Sequence, residues 1–278
     1  MSTPRTLVVP EGVESTRIDT PRGSFAAQTA RATDPIGHVL LVPGWTGGKD
    51  DFTQLLPLLA QAGFDVTTYD QRGQYETPGL PDDDFSLAGF AADAAAVAAS
   101  VSDEAVHLLG HSFGGLVAQT AAIEHTDRWR SLSLLCTGPG ALGDSDVRPL
   151  AQLAATLGKV PLVEIHRATE AAKAVAHPPE IAEFLERRFV ANSPASLRAM
   201  TLHLIEATDR VDEVVATGLP VWVGYGELDD AWPLVAQDEM ARRLGTTPVV
   251  LQGIGHSPAV EDPAALATAW LPFLTPRP

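Results

Sequence analysis

The sequence predicts an α/β fold, in which a mostly parallel central sheet has helices on both faces and is interrupted by one helical insertion. Short apolar runs alternate with longer helix-like runs along most of the 278 residues, which is the pattern of successive β-α units. Several short runs are apolar nearly throughout, as expected for strands buried on both faces. Residues from about 141 to 209 break the pattern, because no convincing strand occurs among them.

The first half of the chain supplies most of the predicted sheet. "TLVVPEG" and "STRIDTPRGSFAAQTA" indicate a strand and a hairpin that turns near residues 21–23, and we expect them to form an antiparallel edge. Ser86 is the predicted N-cap of an Ala-rich helix. The further predicted strands are 38–42, 64–70, 105–110 and 131–138, and the predicted helices are 50–63, 87–101 and 113–126.

The second half begins with helical runs separated by prolines at positions 161, 178, 179 and 194. Pro179 and Pro194 suit the first turn of a helix, and Ser193 is a predicted cap. Strand patterns return at 219–226 and 247–255, and each is followed by a helix-like run. We therefore predict a core made of residues 1–140 and 210–278, into which residues 141–209 are inserted.

Charge and composition exclude several classes of partner. The chain has 35 acidic and 19 basic residues, a formal net charge of −16, and nucleic acids or anionic membranes require positive patches. No apolar run approaches the ~20 residues that a membrane span needs, and the first residues do not resemble a signal peptide. The single cysteine, Cys136, lies in an apolar run, so we expect a buried thiol. The cytoplasm is the simplest location for a chain that can form no internal disulfide, and a disulfide-free secreted protein stays open.

A serine lies where a predicted strand meets a predicted helix. Gly110 to Gly114 read "GHSFG", the G-x-S-x-G pattern of a nucleophile on a tight turn, in which glycines avoid collisions on both sides of the serine. A serine at this position could also be a plain helix N-cap. Nucleophilic chemistry needs a base to take the hydroxyl proton and an acid to orient the base.

His256 and Asp229 are the predicted partners of Ser112. His256 follows the last predicted strand in the Gly-rich loop "LQGIGHSP". Asp229 and Asp230 both follow the strand that ends at Gly226, and we favour Asp229 by its spacing from that glycine. The resulting chain order of serine, aspartate and histidine is that of the nucleophile-elbow enzymes.

These motifs resemble those of the α/β-hydrolase family, from about Val39 to Leu274. A further similarity is "LLVPGWTGG", which implies that the backbone amides of Trp45 and Phe113 form an oxyanion hole. This loop has Pro43 where the family usually has histidine, and "YDQRGQYET" has Tyr75 and Thr77 where glycine and serine are common. The resemblance also implies a sheet of about eight strands and a helical lid at 141–209.

The resemblance implies a serine hydrolase that cleaves an ester or related acyl bond of a small-to-medium apolar molecule, with Trp45, His111, Trp232 and Leu153 as candidate substrate-binding residues. Carbon–carbon bond hydrolysis, lactone opening, cofactor-free perhydrolysis and a non-catalytic binding role stay open. The chain has no phosphate-loop, dinucleotide-binding or metal-ligand pattern. We therefore expect no cofactor, no metal and no obligate protein partner.

Overall fold

A computed structural model describes residues 2–143, 145, 147–172 and 177–275. Its centre is an eight-stranded sheet with the order β1-β2-β4-β3-β5-β6-β7-β8. The strands are β1 (Val13–Thr20), β2 (Gly23–Ala30), β3 (Gly37–Val42), β4 (Phe64–Tyr69), β5 (Val106–His111), β6 (Trp129–Leu135), β7 (Val221–Gly226) and β8 (Val249–Leu251).

The sheet is parallel from β4 to β8 and antiparallel at its first edge. β1 pairs with β2 and β2 pairs with β4 in antiparallel register, whereas β3 pairs in parallel with both β4 and β5. The predicted mostly parallel sheet and antiparallel N-terminal edge are therefore confirmed. Because the parallel strands all run the same way, their carboxyl ends meet at one edge, where ligands of open α/β sheets bind.

The helices within the described ranges cover both faces of the sheet and continue into the segment between β6 and β7. They are α1 (Leu56–Gln61), α2 (Leu87–Val101), α3 (Phe113–Glu124), α4 (Arg148–Thr156), α5 (Leu162–Ala171), α6 (Pro179–Val190), α7 (Pro194–Glu206), α8 (Val211–Ala216), α9 (Leu234–Arg243), α10 (Pro258–Glu261) and α11 (Pro263–Leu274).

Alternate residues of the same strand enter two separate apolar cores. In β3, Leu40 and Val42 pack with residues of α2 and α3, while Val39 and Leu41 pack with residues of α1 and α11. All four side chains are fully buried, which explains why the strand is apolar at every position rather than at every second one. The predicted arrangement of helices on both faces is confirmed.

Helices α4 to α7 lie within the predicted insertion, and no strand of the sheet occurs in the described part of 141–209. Ser193 caps α7, as predicted, by accepting a hydrogen bond from the Ser196 amide. The predicted helical run at 162–176 is described only to residue 172, and its last four residues lie outside the described ranges. The division into a core and a lid stays a prediction.

Two local predictions differ from the structure. Residues 6–10 form no strand, because Leu7 and Val8 are exposed and Pro10 has no amide hydrogen for a ladder. The predicted helix over 50–63 is replaced by a 3-10 helix at Lys49–Phe52 and the shorter α1. Pro57, at N2 of α1, suits only a first turn, so a single continuous helix cannot form.

Candidate active site

Ser112 lies on a sharply strained turn between β5 and α3. Its backbone has φ 56° and ψ −123°, a conformation that costs energy for any residue with a side chain. A Cβ atom on Gly110 would lie 2.1 Å from the Gly114 carbonyl oxygen, and one on Gly114 would lie 2.3 Å from the Val42 carbonyl oxygen. The two glycines are therefore sterically required for this turn, as the sequence pattern predicted.

The structure brings Ser112, His256 and Asp229 together from three distant parts of the chain. Ser112 Oγ is 2.9 Å from His256 Nε2, and His256 Nδ1 is 2.7 Å from Asp229 Oδ1. Because an ionised carboxylate only accepts hydrogen bonds, Nδ1 carries the proton and Nε2 is free to accept one from the serine hydroxyl. This is the arrangement in which an imidazole can act as a general base.

Asp229 is kept ionised by its hydrogen bonds. Burial alone would raise its pKa, but the hydrogen bond from His256 and those from the Ala231 amide and Gln237 outweigh burial, and the pKa of Asp229 is lowered. Gln237 donates from α9 over 2.9 Å to Oδ2 and was not singled out by the sequence. The neighbouring Asp230 is exposed, so the structure brings Asp229, and not Asp230, to the histidine.

The His256 loop is held from two sides. Glu261 accepts hydrogen bonds from the amides of Gly255 and Ser257, at 2.7 and 2.8 Å, on either side of the histidine. His111 Nε2 donates to the His256 carbonyl oxygen at 2.6 Å. Burial lowers the pKa of His111 to about 4, so His111 remains neutral at ordinary pH. Sequence reasoning missed the role of Glu261, since only proximity in the folded chain reveals it.

The loop that carries Trp45 lies against the serine. A Cβ atom on Gly44 would be 3.0 Å from Ser112 Cβ, so main chain approaches the serine closely here. Gln71 Nε2 donates to the Pro43 carbonyl and Gln74 Nε2 to the Gly44 carbonyl, both at 2.9 Å. These glutamines, which the sequence did not single out, fix the loop that has proline in place of the family's usual histidine.

A cavity of about 350 Å³ opens beside Ser112 and His256. The predicted substrate-binding residues Trp45, His111 and Trp232 line it. Leu153 packs instead in an apolar cluster with Leu157 and Leu197, so its predicted contact with substrate has no support from the cavity. Its helical neighbour Leu150 does line the cavity. Apart from histidines, Asp230 is the only ionisable side chain among the described residues that line it.

One group of side chains near the site could in principle hold a metal ion. Ligand atoms of His111, Cys136 and His256 all lie within 4.8 Å of one another. However, both ring nitrogens of His256 are engaged by Ser112 and Asp229, and burial raises the pKa of the Cys136 thiol well above its usual value. A metal here would have to break the serine–histidine–aspartate contacts, so we assign none.

Within the described residues, the structure has no helix that is long and apolar enough to cross a membrane.

Comparisons with known proteins agree with the fold. Residues 37–170 match the family model of the alpha/beta hydrolase fold. The chain is 29% identical over 257 residues to a pimeloyl-[acyl-carrier protein] methyl ester esterase of Neisseria meningitidis serogroup A, and the match covers 87% of this chain and 78% of that one.

Two solved structures are similar over nearly the whole chain. A thermophilic esterase from Thermogutta terrifontis has a TM-score of 0.75 and 23% identity, over 94% of this chain and 98% of that one. The enol-lactonase from Burkholderia xenovorans has a TM-score of 0.76 and 18% identity, over 94% of this chain and 100% of that one. Together with the strand order, these similarities show that the chain is an enzyme with the α/β-hydrolase fold and that it resembles the esterases of that fold.

Proposed function

We propose that the protein is a serine hydrolase that cleaves the ester, or a related acyl bond, of a small-to-medium apolar molecule. The observation that carries this proposal is the chain of two hydrogen bonds that joins Ser112, His256 and Asp229. The strained backbone of Ser112 supports it, because nucleophile elbows have this strain. The sequence relative is named as an ester hydrolase, which agrees with the proposal.

The proposed reaction has two steps. His256 Nε2 takes the proton of Ser112 Oγ while that oxygen attacks the carbonyl carbon, and the backbone amides of Trp45 and Phe113 stabilise the oxyanion. The tetrahedral intermediate expels the alcohol, which leaves with the proton from His256. Water then loses a proton to His256 and attacks the acyl-serine, so that the acid is released and the serine hydroxyl is restored.

Asp229 supports both steps by stabilising the imidazolium that forms when His256 holds the proton. Its lowered pKa means that it remains a carboxylate throughout. We assign the 350 Å³ cavity to the substrate, with the side chains of Trp45, His111 and Trp232 as its walls. Helices α4 to α7 are the proposed lid, because Leu150 of α4 and Leu204 of α7 complete the cavity.

The test is ester hydrolysis combined with covalent labelling. Wild-type protein should hydrolyse nitrophenyl esters of short acyl chains and should be labelled at Ser112 by a fluorophosphonate. Ser112→Ala should lose the labelling and at least about 10⁴-fold in kcat/KM, with an unchanged unfolding transition. A wild-type protein that neither labels nor hydrolyses any ester of the series would refute the proposal in favour of a binding role.

A further inference from the structure

The N-terminal strap, residues 2–10, reaches the candidate active site. It has no helix or strand, yet Ser2 lines the same cavity as Ser112 and His256. Ser2 Oγ lies 3.1 Å from Ser257 Oγ, and Ser257 is the residue immediately after His256. Further along the strap, the Val8 carbonyl accepts a hydrogen bond from Gln54 Nε2 at 2.8 Å.

A buried arginine anchors the strap beside the cavity. Arg188 of α6 is fully buried; its Nη2 donates to the Ser2 carbonyl at 2.6 Å and its Nη1 to Asp51 Oδ1 at 2.7 Å. A guanidinium holds its donors in a rigid planar fork. One side chain therefore ties together the strap, the 3-10 helix at Lys49–Phe52 and a helix of the proposed lid.

The path of the proton during ester cleavage indicates which side of the cavity the strap bounds. In ester cleavage, His256 must hand its proton to the leaving alcohol oxygen, so the alcohol portion of the substrate lies on the imidazole side of the serine. Ser257 follows that imidazole, and Ser2 lies against Ser257. The strap is thus placed next to the leaving group rather than at the far end of the acyl chain.

We propose that the strap, held by Arg188, is a wall of the leaving-group side of the pocket and limits the size of the alcohol that the enzyme accepts. This inference rests on the proposed esterase function. A wall fixed by a buried guanidinium cannot move aside without breaking its hydrogen bond to the Ser2 carbonyl.

Two strap variants with opposite expected effects test the proposal. Ser2→Phe adds bulk to the wall, and deletion of residues 2–6 removes the wall. Thr6→Phe is the matched control, because Thr6 is exposed on the same strap and does not line the cavity. Proteins would carry any purification tag at the C-terminus, and intact mass would verify the N-terminus of each.

Hydrolysis would be followed by proton release for two ester series. One series has a constant butyryl group with methyl, propyl and hexyl alcohols; the other has constant methanol with acyl chains of rising length. Ser2→Phe should lower the hexyl-to-methyl ratio of kcat/KM in the alcohol series at least about 10-fold, the value of one misplaced methylene in a tight pocket. The deletion should raise that ratio by a similar factor, and Thr6→Phe should leave it unchanged.

Ratios within one protein cancel any loss of folded enzyme, and fluorophosphonate labelling would count active sites. If the wild type is active and both strap variants keep its hexyl-to-methyl ratio of kcat/KM, the strap proposal alone is overturned. A shift confined to the acyl series would also overturn it, because the strap would then bound the other side of the pocket. A wild type inactive on every ester would overturn the proposed function, and the strap's role with it.

Discussion

Two buried aspartates at the carboxyl edge of the sheet, Asp229 after β7 and Asp70 after β4, have opposite pKa shifts. Each accepts three hydrogen bonds: Asp229 from His256, Ala231 and Gln237, and Asp70 from the Lys49 amide, the Lys49 ammonium and the Glu76 amide. The pKa of Asp229 is lowered. Burial raises the pKa of Asp70 to about 6, despite the adjacent cation of Lys49 and with the Asp50 carboxylate adding to the rise.

The comparison shows that the number of donors does not by itself decide the charge of a buried carboxylate. The side chains of both aspartates are excluded from solvent, but Asp70 lies deeper in the molecule than Asp229, so desolvation weighs more heavily on Asp70. Asp229 is thus suited to remain ionised and support a catalytic imidazole. Asp70 is suited to a structural role, with a protonation state that changes near neutral pH.

Amide substitutions should separate the two roles most strongly. Asp229→Asn should lower kcat/KM about 10⁴-fold, because an amide cannot hold the required histidine tautomer, while the protein stays folded. Asp70→Asn should change kcat/KM less than about 10-fold and should leave the free energy of unfolding at pH 7 within about 1 kcal/mol of wild type, because the raised pKa of Asp70 means that its charge does not stabilise the fold. Ester kinetics and urea denaturation measure both; an equal loss of activity in the two variants would break the comparison.

The next effect concerns Arg188, whose ion pair with Asp51 is fully buried. Arg188→Met should lower the free energy of unfolding by about 3–5 kcal/mol, because it leaves a buried carboxylate without its cation. The double variant Arg188→Met/Asp51→Asn should recover part of this loss, as measured by urea denaturation. A double variant no more stable than the single one would show that the unpaired Asp51 carboxylate is not the source of the loss.

A smaller effect is the response of stability to pH. Burial lowers the pKa of His38, His107 and His111 from 6.5 to about 4. Because the unfolded chain then binds more protons, the stability from these groups is present above pH 6.5 and is lost as pH falls towards 4. The raised pKa of Asp70 acts in the opposite direction, so that protonation of Asp70 stabilises the fold below about pH 6.

The pH effect can be assigned with single variants in urea denaturation at pH 7 and pH 5. His107→Gln can keep a hydrogen bond to Ser131. Between pH 7 and pH 5, its free energy of unfolding should fall by about 2 kcal/mol less than that of the wild type. The free energy of unfolding of Asp70→Asn should fall by about 1 kcal/mol more than that of the wild type, because the stabilising protonation of the Asp70 carboxylate is absent. Identical pH responses of wild type and both variants would contradict the assignment.

The smallest effect concerns Asp230, which adjoins Asp229 but is exposed at the cavity. Asp230→Asn should raise kcat/KM about threefold for an ester that carries a carboxylate, relative to a neutral ester of the same size, because exposed charges interact weakly. High salt should reduce the difference. A gain equal for charged and neutral esters would indicate a change of cavity shape instead of charge.

Much of the fold and the central residues of the site could be predicted from the sequence, because their physical causes are local. Strands apolar throughout indicate burial on both faces, and the glycines around Ser112 indicate a turn without space for side chains. The histidine and aspartate follow strands whose carboxyl ends must share one edge. The predicted strand over 6–12 was wrong because its apolar residues are exposed on the surface, and a pattern of residue types cannot show what covers them.

The sequence by itself determined which residues end each strand, which turn is strained, and which side chains can exchange a proton. Only the tertiary structure decided which distant groups hold these residues in place. Gln237, Glu261 and Arg188 act through contacts with residues 4 to 186 positions away, and no hydrophobic periodicity or motif spacing encodes such contacts. Burial, which sets the opposite pKa shifts of Asp229 and Asp70, is likewise a property of the packed molecule, since it depends on all the atoms that exclude water from a group.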